Sequence, residues 1–150
     1  MKLVHLTKRF FGSLRAGAPA GEQWAIDQLN PGERALWARL PDADRHHAVG
    51  VARAVPAELA VAALLHDVGK VESGFGTFAR VGATLLGMVK REWPGRLGQY
   101  LRHDEIGAAL LTDAGSAPLT IAWAREHHLP EARWTVPLDV GRALKAADDD

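Results

Sequence analysis

The chain has 150 residues and a mass of 16.2 kDa, the length of one domain that can bury a core without cross-links. Its 18 basic and 18 acidic residues give a formal net charge of zero, which excludes a nucleic-acid-binding module that works by bulk positive charge. The absence of cysteine excludes disulfides, cysteine-ligated zinc and thiol chemistry.

The N-terminal segment, residues 1–18, carries basic residues but no acidic one, and its apolar side chains recur at helical spacing. We predict a helix that covers the core; the alternative is a helix that binds a membrane surface or a partner. Charges interrupt its apolar run, which argues against a signal peptide. No stretch reaches the roughly 18 apolar residues of a membrane helix. We therefore predict a cytoplasmic protein without a transmembrane segment.

Turn signals divide the rest of the chain into short helical segments, and none alternates like a half-buried strand. Asn30, Pro31 and Glu33 together form a helix start signal with a capping box. The predicted helices cover residues 22–29, 31–40, 42 or 44 to 53, 57–68, 77–92, 96–102, 104–114, 118–128 and 138–150. The sequence thus predicts an all-α fold, with residues 1–150 forming a single compact domain of about seven to nine helices.

The most apolar of these helices, residues 57–68, is predicted to be buried on most sides and to end at Gly69. It finishes with His66 and Asp67, a polar doublet in a segment that has no other polar side chain after Glu58. A buried carboxylate without a partner is costly, so Asp67 requires a cation or several hydrogen-bond donors.

Histidines also lie on the apolar faces of other helices. His47 shares a stripe with Val51 and Val55, whereas its neighbour His46 is predicted to face solvent. His103 begins a helix whose stripe continues through residues 106, 107 and 110.

The last two predicted helices bring further polar groups to the same interior. Both His127 and His128 can reach a site at the end of their helix, and the sequence leaves the choice open. Asp148 shares a face with Leu144, while Asp149 is placed on the polar side. Because imidazole and carboxylate together suit zinc, iron and manganese, the whole set indicates a metal site rather than unrelated core histidines.

The order His47, then His66 and Asp67, then Asp148 resembles the H…HD…D signature of the HD superfamily of metal-dependent phosphohydrolases. The resemblance is carried by the local sequences RHHAVGVA, ALLHDVGK and LKAADD. It spans residues 44–149, the predicted metal-binding core, and leaves residues 1–40 as N-terminal helices outside the motif. It implies an all-α fold and hydrolysis at phosphorus by a metal-activated water.

Two further sequences, RHDEIGAALL and REHH, are similar to elements of superfamily members that bind two metals. By this similarity His103 and either His127 or His128 would hold a second ion, with Asp67 as the bridge. The Gly-Tyr-Pro element of cyclic-di-GMP phosphodiesterases is absent, because residues 129–131 read LPE. The resemblance therefore does not extend to a dedicated cyclic-dinucleotide role.

The resemblance also implies roles for individual side chains. His47, His66 and Asp148 would be metal ligands, and Asp67 would both bridge the ions and accept the proton of the attacking water. The expected cofactor is one or two divalent ions per chain, with Mn, Fe, Zn, Mg, Co and Ni not distinguished.

Three basic residues are candidates for substrate binding, and one of them, Lys70, is also a candidate catalytic residue together with Asp67. Lys70 is placed either to meet a substrate phosphate or to remain a solvated charge that the helix dipole favours. Lys145 and Arg125 are near ligands in the sequence and are weaker candidates.

The predicted partner is a small phosphorylated molecule of the nucleotide type. No basic and aromatic groove is visible in the sequence, so no stable nucleic-acid complex is expected. Two alternatives remain open. One is a diiron oxygenase acting on a small molecule, since some superfamily members use the same six-ligand set for that chemistry. The other is a non-catalytic HD regulatory module.

Overall fold

The computed structural model describes residues 17–72 and 102–150. Within these ranges the chain forms seven α-helices and no strand, which confirms the predicted all-α fold. The α-helices are α1 (Glu22–Gln28), α2 (Pro31–Arg39), α3 (Asp42–Arg53), α4 (Ala60–Leu65), α5 (His103–Asp113), α6 (Pro118–Glu126) and α7 (Leu138–Asp149). Short 3₁₀-helices cover Ala57–Leu59, Val68–Glu72 and Glu131–Arg133.

Most helix ends lie within two residues of the predicted ones. The predicted helix at 77–92, all but the last residue of the predicted helix at 96–102, and all but the last two residues of the N-terminal segment lie outside the described residues. No helix in the two described ranges is long and apolar enough to cross a membrane.

The start of α2 has the capping box that the sequence predicts. The Asn30 side chain accepts a hydrogen bond from the backbone N–H of Glu33 at 2.8 Å, and the Glu33 carboxylate accepts one from the backbone N–H of Asn30 at 2.8 Å. Pro31 occupies the first helical turn, where its missing N–H costs nothing. Glu33 also accepts a hydrogen bond from the hydroxyl of Ser116 at 2.7 Å, which links α2 to the loop after α5.

Helix α4 lies at the centre of the described core. Five of its six residues are buried, and it packs against both α3 and α6. The apolar composition of α4 explains this position, because a helix that is hydrophobic all round is stable only inside the protein. The residues that follow the C-terminus of α4 at Leu65 therefore lie in the interior of the described core.

The chain after α4 departs from the prediction of one helix over 57–68 ending at Gly69. The α-helix ends at Leu65, a turn carries His66 and Asp67, and the 3₁₀-helix Val68–Glu72 follows. The backbone N–H of Lys70 donates to the carbonyl of Asp67 at 3.0 Å, an i to i+3 bond that gives a tighter path than an α-helix.

Gly69 allows a close backbone contact rather than terminating an α-helix. A Cβ atom at this position would overlap the carbonyl oxygen of His103 and lie 2.6 Å from the backbone nitrogen of Gly107. Only a residue without a side chain permits the 3₁₀-helix to approach the first turn of α5 this closely. The contact places Asp67 beside His103.

The buried face of α5 is shifted by one position from the predicted stripe. Its buried residues are His103, Asp104, Gly107, Ala108 and Leu111, whereas residues 106 and 110 are only partly buried. The prediction of a buried stripe was therefore correct for His103 and Gly107 and wrong for residues 106 and 110. The helix is covered by two neighbours: the backbone of Gly69 approaches residues 103 and 107, and α6 also packs against α5. The side of the helix that these neighbours cover, rather than its periodicity alone, decides which residues are buried.

A buried carboxylate holds the loop between α6 and α7. Glu126 accepts hydrogen bonds from the backbone N–H of Thr135 at 2.6 Å and of Val136 at 3.3 Å, and from the Thr135 hydroxyl at 2.5 Å. This loop leads into α7, which packs against α3. Helix α7 buries Gly141 and Leu144, as its periodicity predicts.

Candidate metal centre

Two histidines at helix ends are fixed in one orientation by backbone carbonyls. The Nδ1–H of His66 donates to the carbonyl of Ala63 at 2.7 Å. The Nδ1–H of His127 donates to the carbonyls of Trp123 and Ala124, each at 3.1 Å. Because a carbonyl only accepts, Nδ1 carries the hydrogen in both rings and Nε2 is the atom available as a metal ligand.

The carboxylate of Asp67 lies between these rings and a third one. Its Oδ1 is 3.3 Å from Nε2 of His103 and 3.4 Å from Nε2 of His127. Its Oδ2 is 3.5 Å from Nε2 of His66 and forms a short ion pair with the ammonium group of Lys70. The two oxygens of Asp67 therefore face two different groups of possible ligands.

The first group of possible ligands surrounds Asp148. Its Oδ1 lies 2.9 Å from Nε2 of His47 and 3.3 Å from Nε2 of His66. His47, His66 and Asp67 each offer a donor atom within 4.8 Å of the others. Helices α3 and α7 thus bring the first and last residues of the predicted H…HD…D set to the doublet after α4.

The second group lies on α5 and at the end of α6. His103, Asp104, His127 and His128 offer donor atoms within 4.8 Å of one another. His127 is 1% exposed and directs Nε2 toward Asp67, whereas the side chain of His128 is 32% exposed and directs Nδ1 toward Asp104. The choice that the sequence leaves open is thereby resolved geometrically: His127 is the inner residue of the pair.

Burial and neighbouring carboxylates shift the pKa values of the histidines in opposite directions. Burial lowers the pKa of His127 to about 4, so its ring is neutral at pH 7. Burial also disfavours the charged form of His103, but hydrogen bonds to Asp104 and Asp67 raise the pKa of His103 to about 9. For His66 the same opposition, burial against the charges of Asp67 and Asp148, leaves the pKa raised.

The two central carboxylates remain ionised. Burial opposes their charge, but Lys70 and the surrounding imidazoles hold the pKa of Asp67 well below its usual range. Hydrogen bonds from His103 and His128 likewise outweigh burial and lower the pKa of Asp104. Both groups are therefore acceptors, as metal-binding carboxylates must be.

The basic residues predicted for substrate binding have different positions. Lys70 is only 9% exposed and is paired with Asp67, so the alternative of a solvated charge is wrong. Lys145 lies at the edge of the His/Asp cluster, 3.7 Å from Asp148 and 3.0 Å from Asp149. This cluster consists of residues 47, 66, 67, 103, 104, 127, 128 and 148. Arg125 is exposed on α6 and makes no hydrogen bond or ion pair with the described cluster residues. His46 contacts the carbonyl of Gly17 at 3.1 Å, away from the cluster, as predicted.

Asp104 is the cluster residue that the sequence interpretation missed. Its Oδ1 lies 2.9 Å from Nε2 of His103 and 3.0 Å from Nδ1 of His128. The sequence contains a signal for it, since residues 103 and 104 form a second His-Asp doublet. Asp104 also begins the i, i+3, i+4, i+7 pattern with Gly107, Ala108 and Leu111 that forms the buried face.

These residues fit a divalent metal. Nε2 of His127 is buried and, within the described residues, lies 3.4 Å from Oδ1 of Asp67 without the alignment of a hydrogen bond. In the neutral ring this nitrogen presents a lone pair to a carboxylate lone pair, which is repulsive unless a cation lies between them. The imidazole and carboxylate donors on both sides of Asp67 suit such a cation.

The helical architecture and the buried His/Asp cluster define an HD-type domain. A family model described as "Cas3, HD domain" matches residues 20–141, and the chain belongs to this family. The match includes α1 to α6 and ends before Asp148, whose place in the cluster is given by the packing of α7 on α3. A search of curated proteins and a search of solved structures each found no match.

Proposed function

We propose that this domain is a metal-dependent phosphohydrolase that cleaves phosphodiester bonds with two divalent ions. The observation that carries the proposal is the position of Asp67, which has one oxygen toward His103 and His127 and the other toward His66 and Lys70. One carboxylate surrounded by Nε2 atoms on both sides matches the needs of a dinuclear centre, in which both attacking and leaving oxygens are stabilised.

In the proposed centre, residues 44–149 supply every ligand. His47, His66 and Asp148 would hold one ion, His103 and His127 the other, and Asp67 would bridge them. When bound, the ions would lower the pKa of a coordinated water and neutralise charge on the phosphoryl oxygens. The carbonyls of Ala63 and Trp123 keep His66 and His127 with Nε2 directed inward, so the chain is preorganised for these ligands.

Lys70 has a second role in this proposal. Its ammonium group is buried and supplies a positive charge beside Asp67. A phosphate oxygen that approaches Asp67 would be attracted by this charge. Because the Lys70 side chain is already held in place, no side chain has to become ordered first. Lys145 can contribute a weaker attraction from the surface, and acceptance of the water proton by Asp67 remains a prediction.

The family match changes the preferred substrate. The sequence predicts a small nucleotide, whereas the Cas3 HD family is related to nucleases. Both substrates present a phosphodiester or phosphate ester to the same metal chemistry. We favour a nucleic-acid strand bound transiently, because the net charge of zero does not supply the electrostatic affinity of a stable complex.

The test is a turnover assay on single-stranded DNA, single-stranded RNA, a cyclic dinucleotide and bis-p-nitrophenyl phosphate, each with Mn²⁺, Ni²⁺, Co²⁺, Zn²⁺ or Mg²⁺. We expect cleavage of at least one diester that stops when a chelator is added. Turnover of the small diesters alone would favour the hypothesis that the substrate is a small nucleotide. Oxygen consumption with iron and without phosphate chemistry would replace the proposal by the diiron oxygenase. Metal binding without any turnover would favour the regulatory module.

Removal of the metal should destabilise the fold. Asp148 lies near the end of α7, where helices normally fray, and its contacts to His47 and His66 join α7 to the core. An ion that binds only the folded state stabilises it by about 3–4 kcal/mol at 100 to 1,000 times its Kd. We therefore expect chelation to lower Tm by about 10 °C. A melting curve that is unchanged by chelation would contradict metal binding by these residues.

A further inference from the structure

We propose that Asp104 is a ligand of the second metal ion, sharing it with His103, His127 and Asp67. This inference rests on the proposed metal-dependent function and adds a residue that lies outside the H…HD…D signature. It also assigns His128 to a positioning role, in which it holds Asp104 and does not bind the ion.

The distances between donor atoms support a shared ion. Oδ1 of Asp104 is 2.9 Å from Nε2 of His103 and 3.7 Å from Nε2 of His127. The same two nitrogens lie 3.3 Å and 3.4 Å from Oδ1 of Asp67. Donors that share a tetrahedral ion at about 2.0–2.1 Å are about 3.3 Å apart from one another. The four separations, from 2.9 to 3.7 Å, lie within about 0.4 Å of that distance.

The chemistry of His103 supports the same conclusion. Its Nε2 faces both Oδ1 of Asp67 and Oδ1 of Asp104. A ring nitrogen that binds a metal uses its lone pair and carries no hydrogen, so it cannot donate to either carboxylate. With His103 as a ligand, the nearby oxygen of Asp104 is a second donor to the same ion instead of a hydrogen-bond acceptor from this ring.

The burial of Asp104 requires compensation of its charge. The residue is 7% exposed, and no described lysine or arginine forms an ion pair with it; the groups around it are the imidazoles of His103, His127 and His128. A buried carboxylate is costly unless a positive charge lies beside it. His103 can supply that charge only while its ring carries a second hydrogen, and a ring that binds an ion through Nε2 does not carry it. With His103 as a ligand, the ion replaces the imidazolium as the positive charge next to Asp104.

The contact between His128 and Asp104 suits a residue that orients a metal ligand without binding the ion itself. Its Nδ1 lies 3.0 Å and 3.1 Å from the two oxygens of Asp104, so the ring donates a hydrogen bond to the carboxylate. Such a bond orients a ligating carboxylate, and loss of an outer partner of this kind weakens metal affinity about 10- to 100-fold without removing the site.

The experiment counts Co²⁺ ions bound per chain by isothermal titration of the metal-free full chain, followed by elemental analysis. We expect two ions for the unchanged protein and one for Asp104→Asn. Asp113→Asn, which alters an exposed carboxylate on the same helix, should retain two. His128→Gln should also retain two, with the second bound about 10- to 100-fold more weakly. The circular dichroism spectrum checks folding, and Asp104→Ser replaces Asp104→Asn if that variant aggregates.

Each result decides the proposal. Two ions in the folded Asp104 variant would overturn the ligand role of Asp104 and leave the proposed function intact. One ion in both the unchanged protein and the variant would also overturn it, because the second position would then be empty. No bound Co²⁺ in the unchanged protein would overturn the proposed function and this inference together. If the second ion is lost in His128→Gln but kept in Asp104→Asn, the proposal is also overturned, because His128 and not Asp104 would then be the ligand.

Discussion

Replacement of Asp67 by asparagine should abolish hydrolysis, with a fall in turnover of about 10³-fold or more. The exchange keeps the shape of the side chain but removes the charge that faces His66 on one side and His103 and His127 on the other. Since the amide is a poor bridge between two cations, both ions should bind more weakly.

This result is measured as kcat on the best diester found in the substrate screen, at saturating metal. Asp139→Asn, an exposed carboxylate at the start of α7, is the matched control and should leave kcat unchanged. A folded Asp67→Asn protein with more than about a tenth of the original turnover would contradict the bridging role, because general acid–base and metal roles contribute far more than tenfold.

Replacement of Gly69 by alanine should strongly destabilise the fold. The new Cβ would overlap the carbonyl oxygen of His103 and approach the backbone of Gly107, so backbone rather than a flexible side chain must move. We expect a loss of about 3 kcal/mol or more in the free energy of unfolding, and a Tm lower by about 6–12 °C. Because the contact brings Asp67 to His103, metal binding at the second position should weaken as well.

Gly50→Ala should have the opposite effect and stabilise the fold. Gly50 lies in α3, and a Cβ at this position would contact nothing within 4 Å. Alanine there should stabilise the helix by about 0.5–1 kcal/mol, since glycine is a poor helix former. Thermal melts of both variants measure the difference, and equal melting temperatures would show that the Gly69 contact does not limit the packing.

Local sequence patterns predicted most of the described fold correctly because helix starts and buried stripes are local properties. The capping box at Asn30 and Glu33 and the burial of α4 each depend on residues within one or two turns. The inward direction of His47 and Asp148 also follows from the 3.6-residue period alone. For this reason the helices could be predicted without coordinates, whereas the HD-type order of the candidate ligands came from the resemblance of the local sequences to a known family.

The early end of α4 and the register of α5 could not be predicted in this way. Both occur where distant parts of the chain pack together: the 3₁₀-helix after α4 approaches His103 and Gly107 through Gly69, more than 30 residues away in the chain, and α6 packs against α5. A period calculation on α5 alone cannot distinguish a stripe centred on Ile106 from one centred on Asp104. The neighbouring backbone determines which side of the helix is covered.

The sequence by itself thus determined an all-helical domain and the His and Asp residue types of a candidate metal site, because helical periodicity and side-chain chemistry are encoded locally. Tertiary structure decided that His127 lies inside and His128 outside, that Lys70 is buried against Asp67, and that Asp104 joins the cluster. These choices depend on how helices distant in the chain pack together, and a donor atom becomes a ligand only where packing brings other donors within a few ångströms of it.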